Sequence, residues 1–425
     1  MPTVSRSTWP PRIGAGSSDS HGGAVVTLKE RSLPPLWLVG TVTSIFLLQV
    51  AVTLARPVST YRLLALGADG TTLGLTAACF AVPPMLLAVS FGRWSERHHP
   101  AILIALGFVV AAVGAFALVV VEAIPAFALA TTALGIGHMS GTIGGQSIMA
   151  QADSSLTRIG RFGTLTTISA LGQIVGPVLG GVIIGHSDTP SLASTSSALQ
   201  VAAWVFVGGL PAAVIAMRST MQTSTIRTGK PQRVWGLLRL KGMPAALMTS
   251  FSAKGGNDLL LVYVPLLGAS VGLTSSQVGI LLGISSSGAL LARAATPWFV
   301  RRIPSVNLTV VATAIAALCL LIVGLSHNIT PMMLAMSVLG FAIGLTQTTT
   351  MDWVVDLVDD TSRGSALGMR VATNRVGQTF ILAAAGVVSQ WFGVEAAFGL
   401  LALVMLVTAA AGALSARGGT QSTGT

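Results

Sequence analysis

The chain is organised as long apolar segments that are separated by short polar gaps. Each segment holds roughly 20 residues, the length that an α-helix needs to cross a hydrocarbon core of about 30 Å. We number these segments spans 1 to 12, and they lie near residues 36–57, 72–91, 101–121, 126–148, 163–184, 198–217, 244–266, 276–298, 306–326, 331–353, 365–390 and 395–415. The pattern predicts an all-α polytopic membrane protein with twelve transmembrane helices.

The first 33 residues differ from the rest of the chain. Residues 1–33 are rich in Ser, Gly and Pro and carry four basic side chains. A segment of this composition cannot bury enough apolar surface to fold, so we expect a disordered cytoplasmic tail. It is also too long and too polar to be the n-region of a signal peptide. A second, short cytoplasmic tail is expected at 417–425.

The composition excludes several classes of protein. Only 9% of the residues are charged, against about 25% in soluble proteins, and 52% are hydrophobic. The net charge of +11 would suit a nucleic-acid binder, but the basic residues lie in the gaps between spans, so we expect no nucleic-acid partner. Cys79 and Cys319 fall in separate spans and predict neither a disulfide framework nor a metal site. We expect no cofactor.

The basic residues of the gaps predict the orientation of the chain in the membrane. If the N-terminus is cytoplasmic, the cytoplasmic segments hold 18 Lys and Arg residues. The opposite side holds only two, Arg62 in a loop and Arg56 at the outer end of span 1. Cytoplasmic loops of membrane proteins carry such an excess of basic residues. We therefore predict a multi-pass protein of the cell membrane with both termini in the cytoplasm.

The second half of the chain repeats features of the first half at a fixed offset. A shift of 205 residues places Gly74 on Gly279, Arg97 on Arg302, Gly135 on Gly340, Arg158 on Arg363, Gly163 on Gly368, Gly172 on Gly377, Gln173 on Gln378 and Gly181 on Gly386. This repeat predicts two six-helix bundles, at 34–217 and 244–416, that are joined by a basic cytoplasmic linker at 218–243. Because six is an even number, both bundles have the same orientation, as in transporters built from parallel repeats.

A short motif between spans 2 and 3 resembles a known family. The segment Gly92-Arg93-Trp94-Ser95-Glu96-Arg97 is similar to the loop motif Gly-x-x-x-Asp-Arg-x-Gly-Arg of the major facilitator superfamily, with Glu96 in place of Asp. In that family the carboxylate meets the start of helix 11, here near 361–364, because a helix N-terminus attracts negative charge. The resemblance implies a cytoplasmic latch that includes Gly92, Arg93, Glu96 and Arg97. The alternative is that these residues are ordinary loop charges.

Span 5 carries a second motif that is similar to one of this family's proton-driven exporters. Its members are Gly163, Gly172, Gly176, Pro177, Gly180 and Gly181. Small residues spaced in this way let a neighbouring helix approach closely, and the proline bends its own helix. In span 11, Ile381 and Leu382 stand where the Gly-Pro pair would fall, so the bend is expected in the first half only. The alternative is small-residue packing without any bearing on transport direction.

The arginine motif that the family has in helix 4 is not recognisable here. The corresponding segment of span 4 contains His138 and no arginine. Because imidazole titrates near physiological pH, His138 is a candidate for binding a proton or the substrate. The alternative is that it only donates a hydrogen bond to a neighbouring helix.

Ionisable residues inside spans are functional candidates, because lipid disfavours them strongly. Charged side chains inside spans are expected only in spans 7, 8 and 11, whereas spans 3, 6, 9 and 12 have no ionisable residue in their interiors. This pattern predicts a central cavity, with the four charge-free spans outside it. Lys254 and Asp258 in span 7 lie near mid-membrane with the i, i+4 spacing that allows them to pair, and Asp258 is the best candidate for a proton carrier.

Span 11 adds further cavity candidates. Asn374, Arg375 and Gln378 are expected to bind substrate or protons together with the span 7 pair. Arg293 and Arg370 lie nearer the cytoplasmic end, where they either line the cavity or gate, or are structural. Counting Lys254, Asp258 and Arg375, the deep cavity has a net charge of +1, which favours a substrate with an anionic or polar acceptor group.

These features predict a secondary transporter that works by alternating access, with a small molecule and protons as partners. The span 5 motif favours proton-coupled efflux by antiport, whereas the positive cavity favours the alternative, a proton-coupled importer of an organic acid or similar nutrient. A membrane-embedded enzyme is a third alternative. The six His residues of the chain are scattered, however, and no catalytic motif is present. The family resemblance implies a monomer.

Overall fold

The computed structural model of the protein describes residues 35–150, 155–185, 190–219, 234–359 and 363–420. These residues form fourteen α-helices. The first seven are α1 Leu36–Ala65, α2 Gly70–Cys79, α3 Val82–Arg97, α4 Pro100–Val120, α5 Ile124–Ala150, α6 Ser155–Ile184 and α7 Leu192–Ser219. The others are α8 Val234–Leu237, α9 Met243–Ser270, α10 Ser275–Val300, α11 Ser305–Leu325, α12 Ile329–Asp356, α13 Arg363–Phe392 and α14 Val394–Thr420. The predicted N-terminal tail and most of the linker lie outside the described residues.

The predicted all-α membrane fold is confirmed, with one span divided into two helices. Span 2 is not continuous, because α2 ends at Cys79 and α3 begins at Val82. Pro83 and Pro84 follow the break directly. Proline has no backbone N–H and cannot continue the hydrogen-bond ladder of a preceding helix, which explains why α2 stops here.

Hydropathy separates the spanning helices into two groups. Among the described residues, nine helical segments are both long and apolar enough to cross a membrane. Helices α5, α9 and α13 have 27, 28 and 30 residues, which is also sufficient length, but they fall outside that group. These three helices carry His138, the Lys254–Asp258 pair and Arg375, so the same polar residues lower their hydropathy and mark the interior of the protein.

The helices pack in two matching sets. In the first set α1 packs on α6 and α7, and α4 packs on α5 and α7. In the second set α9 packs on α13 and α14, and α11 packs on α12 and α14 in the same arrangement. Contacts between the sets run from α6 to α10, from α2 to α13 and from α1 to α9. The bundle limits at residues 217 and 244 stay a prediction.

Glycines bring the two sets together at one end. A Cβ atom on Gly181 of α6 would lie 2.5 Å from Ser275 O at the start of α10, and one on Gly74 of α2 would lie 2.7 Å from Gly386 Cα of α13. We call this end, where α1 and α6 terminate, the closed side. At the opposite end, the open side, a Cβ on Gly163 or Gly368 would meet no atom within 4 Å among the described residues.

Replacing Gly181 with Leu is expected to open the closed side, because the added side chain would force α6 away from α10. With Cys79 and Cys319 changed to Ala, the reaction of a Thr60→Cys thiol with a membrane-impermeant maleimide reports the opening, since Thr60 is 2% exposed. We expect labelling to rise about tenfold, which corresponds to a shift of about 1.4 kcal/mol between conformations.

The matched control for this experiment is Gly163→Leu, which adds the same side chain to the same helix in open space. Labelling of Thr60→Cys that is unchanged by Gly181→Leu, or that rises equally with Gly163→Leu, would contradict the assignment of the closed side.

Arg62 was expected in an outer loop, and this prediction is wrong. Helix α1 continues to Ala65, and the Arg62 side chain is only 3% exposed. Its guanidinium donates hydrogen bonds to Leu192 O at 3.3 Å, to Ser196 Oγ at 2.7 Å and to Val119 O at 2.5 Å. The arginine therefore joins the end of α1 to α4 and α7, and its role is structural.

Arg62→Met is expected to destabilise the protein without changing substrate specificity. Hydrogen bonds from a charged group contribute about 1.5–3 kcal/mol each, although the methionine recovers part of the packing. We expect a loss of about 3 kcal/mol in the free energy of unfolding, measured by denaturation in mixed micelles. Arg218→Met, at the exposed end of α7, is the control, and equal stability of the two variants would contradict the structural role of Arg62.

Candidate functional site

The centre of the protein holds one carboxylate between two cations. Asp258 of α9 is 2% exposed, and it forms ion pairs with Arg56 of α1 and Lys254 of α9. Lys254 Nζ lies 2.8 Å from Asp258 Oδ2, with the i, i+4 spacing that the sequence indicated. Lys254 is 30% exposed, whereas Arg56 is 7% exposed. We call Arg56, Lys254 and Asp258 the central triad.

Arg56 is the residue that sequence reasoning missed. It was assigned to the outer end of span 1, so the expectation that charged side chains inside spans lie only in spans 7, 8 and 11 is wrong. The sequence Arg56-Pro57 looked like a helix end, but Pro57 lies inside α1, which has 30 residues. With Arg56 included, three cations face one carboxylate, and the net charge of the site is +2 rather than +1.

His138 joins the triad through an aromatic ring. Phe80, at the break between α2 and α3, lies against both residues: the Arg56 guanidinium carbon is 4.7 Å from its ring centroid, and the His138 ring stacks on it at 5.7 Å. His138 Nε2 lies 3.3 Å from Gln49 Oε1. A Cβ at Gly135 would collide with the Phe80 backbone, so this glycine permits the approach of α5.

The polar stripe of α13 contacts both α5 and α9. Arg375 Nη1 donates to Gln378 Oε1 at 3.0 Å, and its Nη2 lies 3.4 Å from Met139 Sδ on α5 of the other helix set. Asn374 Oδ1 accepts a hydrogen bond from Ser250 Oγ of α9 at 2.7 Å. Helices α5, α9 and α13 thus supply the predicted central residues, and α1 supplies Arg56, which was not predicted.

Arg293 and Arg370, the two arginines predicted nearer the cytoplasmic end, take no part in the ion pairs of the central triad. Arg370 Nη2 donates to Gln347 O at 2.6 Å and to Thr350 Oγ1 at 3.1 Å, which ties α13 to α12. These bonds favour the structural alternative for Arg370. Arg293 of α10 is half-buried and makes no ion pair with the described residues. A role for either arginine in the gate stays a prediction.

The predicted latch falls largely outside the described side chains. Gly92 and Arg93 lie near the end of α3, where Arg93 is exposed. The side chains of Glu96 and Arg97, and residues 360–362, are not described. The latch contact therefore stays a prediction.

The glycines of the α6 motif have two different neighbours. Gly172 and Gly176 face α1, where added Cβ atoms would lie 2.7 Å from Gln49 Cβ and 2.5 Å from Val50 O. Gly180 also faces α1, and Gly181 meets α10 on the closed side. Pro177 lies inside the helix, and a Cβ at Gly163 would contact none of the described residues. The motif therefore packs one face within the first helix set and the other between the sets.

Two cavities flank the central triad. One, with about 290 Å³ of open space, is lined by α1, α6, α9 and α10, including Thr53, Gln173, Asn257 and Ser285. The other, with about 370 Å³, lies towards the closed side and includes Arg56 in its wall. Among the described residues, no three His, Cys, Asp or Glu side chains come together as metal ligands would.

Solved transporter structures share this fold. A bacterial homologue of the human lysosomal transporter Spinster, in an inward-facing and unoccupied conformation, superposes with a TM-score of 0.74 and 14% identity over 91% of this chain and 98% of that chain. The nucleoside transporter NupG gives a TM-score of 0.71 and 17% identity over 89% of this chain and 98% of that one. At this identity the likeness establishes the fold alone.

A curated relative matches in sequence over part of the chain. Multidrug resistance protein 1 of Bacillus subtilis (strain 168) is 26% identical over 161 residues, which are 38% of this chain and 41% of that protein. The match thus spans less than half of the length of this relative.

The family profile of the Major Facilitator Superfamily matches residues 41–369 and 247–418. Together these matches cover almost all of the described helices. The Major Facilitator Superfamily is a family of transporters, so the enzyme alternative is excluded. The chain is therefore a multi-pass membrane protein that belongs to the Major Facilitator Superfamily, a transporter of the alternating-access type.

Proposed function

We propose that the protein exports a small organic molecule across the cell membrane in exchange for protons. The observation that carries this proposal is the position of Asp258, whose carboxylate joins Arg56 on α1 to Lys254 on α9. The contact links the two helix sets at the centre of the protein. A single proton on that carboxylate would remove the only negative charge of the central triad.

Protonation of Asp258 changes the balance between the helix sets. With the carboxylate ionised, its attraction to Arg56 holds α1 against α9 and keeps the closed side shut. With the carboxylate neutral, Arg56 and Lys254 become like charges in a poorly solvated site, where their repulsion is strong. A proton therefore favours separation of α1 from α9, which is the movement that opens the closed side.

A substrate can weaken the Arg56–Asp258 ion pair without a proton. A hydrogen-bond acceptor that binds the Arg56 guanidinium competes with Asp258 for its donors. The empty, ionised site is then locked, whereas either a proton or a substrate permits the conformational change. A transporter whose closed side opens only with a proton or a substrate bound can exchange the one for the other across the membrane.

Two further observations support export as the direction. The α6 motif, similar to that of proton-driven exporters, is complete and includes the close Gly181 contact with α10. The relative from Bacillus subtilis carries the name multidrug resistance protein. With the predicted cytoplasmic termini, the open side of the structure would face the cytoplasm, from which an exporter takes its substrate.

The proposal is tested in everted membrane vesicles that respiration has made acidic inside, with acridine orange fluorescence as the reporter of the pH gradient. Three probes of different charge are added: ethidium, acetophenone and benzoate. Exchange of a probe for lumenal protons restores the fluorescence. We expect the wild type to respond to at least one probe and Asp258→Asn to respond to none.

Asp352→Asn is the matched control, because Asp352 on α12 accepts a hydrogen bond from Ser305 outside the central triad. This variant should keep the wild-type response. The coupling proposal would be overturned if Asp258→Asn vesicles responded as strongly as wild-type vesicles, or if wild-type vesicles responded no more than vesicles without the protein.

The net charge of +2 favours one alternative, a proton-coupled importer of an organic acid. A carboxylate substrate would displace Asp258 from its two cations, and the freed Asp258 would take up a proton. Substrate and proton would then move in the same direction. In the vesicle experiment benzoate would deepen the quenching of acridine orange instead of reversing it, so the sign of the response separates the two functions.

A further inference from the structure

The cavity on the closed side of the central triad has the features of a ligand subsite. About 370 Å³ of unoccupied space, part of it open to the surroundings, lies between α1, α2 and α5, with Val262 of α9 also in its wall. The wall is mainly apolar, and its larger side chains are Leu63, Leu73, Phe80, Phe127 and Leu134.

Two residues in the wall of this cavity each have a buried polar atom without a partner among the described residues. Arg56 Nη2 makes no hydrogen bond to any described residue, although Nη1 of the same guanidinium pairs with Asp258. Thr131 Oγ1 on α5 has no partner within the described part of the chain either. Both residues are 7% exposed. Buried donors of this kind are nearly always satisfied in proteins, so each marks a place for an absent acceptor.

The charge of Arg56 indicates which kind of acceptor fits. Asp258 already provides the guanidinium with a counter-ion, so the free Nη2–H needs an acceptor oxygen but not a second negative charge. The apolar wall disfavours a charged group for the same reason that lipid does, because an ion there would lose its hydration. An uncharged carbonyl oxygen meets both requirements.

We propose that this cavity is the substrate subsite, and that it binds uncharged apolar molecules through a carbonyl oxygen held by Arg56 and Thr131. This inference rests on the proposed export function and names its substrate class. The apolar body of the ligand lies against Leu73, Phe127 and Leu134. The carbonyl oxygen accepts from Nη2 of the guanidinium whose Nη1 pairs with Asp258, and its pull on the guanidinium weakens the ion pair between α1 and α9.

Benzophenone is a suitable probe, because it combines a carbonyl oxygen with two apolar rings and inserts into nearby C–H bonds under ultraviolet light. The purified full-length protein in lipid nanodiscs is illuminated with increasing benzophenone and analysed by peptide mass spectrometry. We expect saturable labelling on peptides of α1, α2 and α5. Acetophenone should compete for the site, whereas ethylbenzene and benzoate should compete at least about tenfold less well.

Two pairs of variants test the residues. Ala77→Phe fills the cavity and should abolish the saturable labelling. Leu75→Phe on the same helix should not, because Leu75 is 54% exposed. Thr131→Val should weaken competition by acetophenone about fivefold to tenfold, since one neutral hydrogen bond contributes about 1 kcal/mol. Thr132→Val is its control, because that hydroxyl bonds to Cys79 O.

Three results would overturn the inference: labelling that Ala77→Phe leaves intact, competition by benzoate that equals or exceeds that of acetophenone, or equal effects of Thr131→Val and Thr132→Val. The labelling uses no pH gradient, so its outcome is separate from that of the vesicle experiment. Saturable, Thr131-dependent labelling without proton exchange would remove the proposed function alone, and proton exchange without such labelling would remove the subsite alone.

Discussion

Replacing Asp258 with Asn should abolish proton-coupled transport while leaving the shape of the site unchanged. Asn has nearly the same volume as Asp, but it has no charge and cannot take up a proton. We expect the rate of transport driven by a pH gradient to fall by about 100-fold or more, which corresponds to about 2.7 kcal/mol. Initial rates in proteoliposomes with an imposed gradient provide the measurement.

The same substitution should also destabilise the protein. Arg56 and Lys254 would be left without their counter-ion in a site where Arg56 is 7% exposed. Removing one partner of a buried ion pair typically costs about 3–5 kcal/mol. Asp352→Asn should change neither transport nor stability to this extent, and transport by Asp258→Asn at the wild-type rate would contradict the assigned role.

Arg56→Gln is the second substitution with a large expected effect. It removes the cation of α1 that pairs with Asp258, together with the contact of the guanidinium with the Phe80 ring. Lys254 still compensates Asp258, but the ionic link between the two helix sets is lost. We therefore expect a loss of about 3 kcal/mol in the free energy of unfolding and a closed side that opens without a proton.

A double-mutant cycle separates this link from effects on each residue alone. If Arg56 and Asp258 stabilise each other, the double variant Arg56→Gln/Asp258→Asn should be more stable than the sum of the single effects by about 1–3 kcal/mol. Denaturation of all four proteins in mixed micelles gives the coupling energy. The same cycle for Arg62 and Asp258 is the control, since Arg62 bonds to α4 and α7 instead. Additive effects at Arg56 and Asp258 would contradict an ionic link.

Much of the fold could be predicted from the sequence, because lipid imposes a simple rule on helix length and hydropathy. The spans follow from that rule, and the repeat at 205 residues follows from the spacing of glycines along the chain. The repeat makes Gly74 equivalent to Gly279 and Gly181 equivalent to Gly386. On the closed side Gly74 lies against Gly386 and Gly181 lies against Gly279, as a pseudo-twofold relation between the two sets requires.

The errors arose where local sequence and long-range packing disagree. Arg56-Pro57 has the local features of a helix end, yet α1 continues because Asp258, 202 positions later, compensates the arginine. Arg62 likewise remains helical because partners on α4 and α7 satisfy it. The break before Pro83 and Pro84 was also not predicted, although proline chemistry accounts for it.

The candidate site shows the same division. The pairing of Lys254 with Asp258 is local, at i, i+4, and the sequence indicated it correctly. The approach of Arg375 to Met139 joins residues that are 236 positions apart, and no pattern along the chain could indicate it. The cavity beside Arg56 was equally hidden, because it depends on the break in span 2 and on the true length of α1.

In the proposed mechanism ionised Asp258 holds the closed side shut. Pairs of spin labels on exposed positions test this directly in lipid nanodiscs: Ser191 and Asn328 on the closed side, and His98 and Arg301 on the open side, in a background without Cys79 and Cys319. We expect acidic pH and Asp258→Asn each to lengthen the Ser191–Asn328 distance and to shorten the His98–Arg301 distance. Closed-side distances that stay the same in Asp258→Asn and at acidic pH would contradict it.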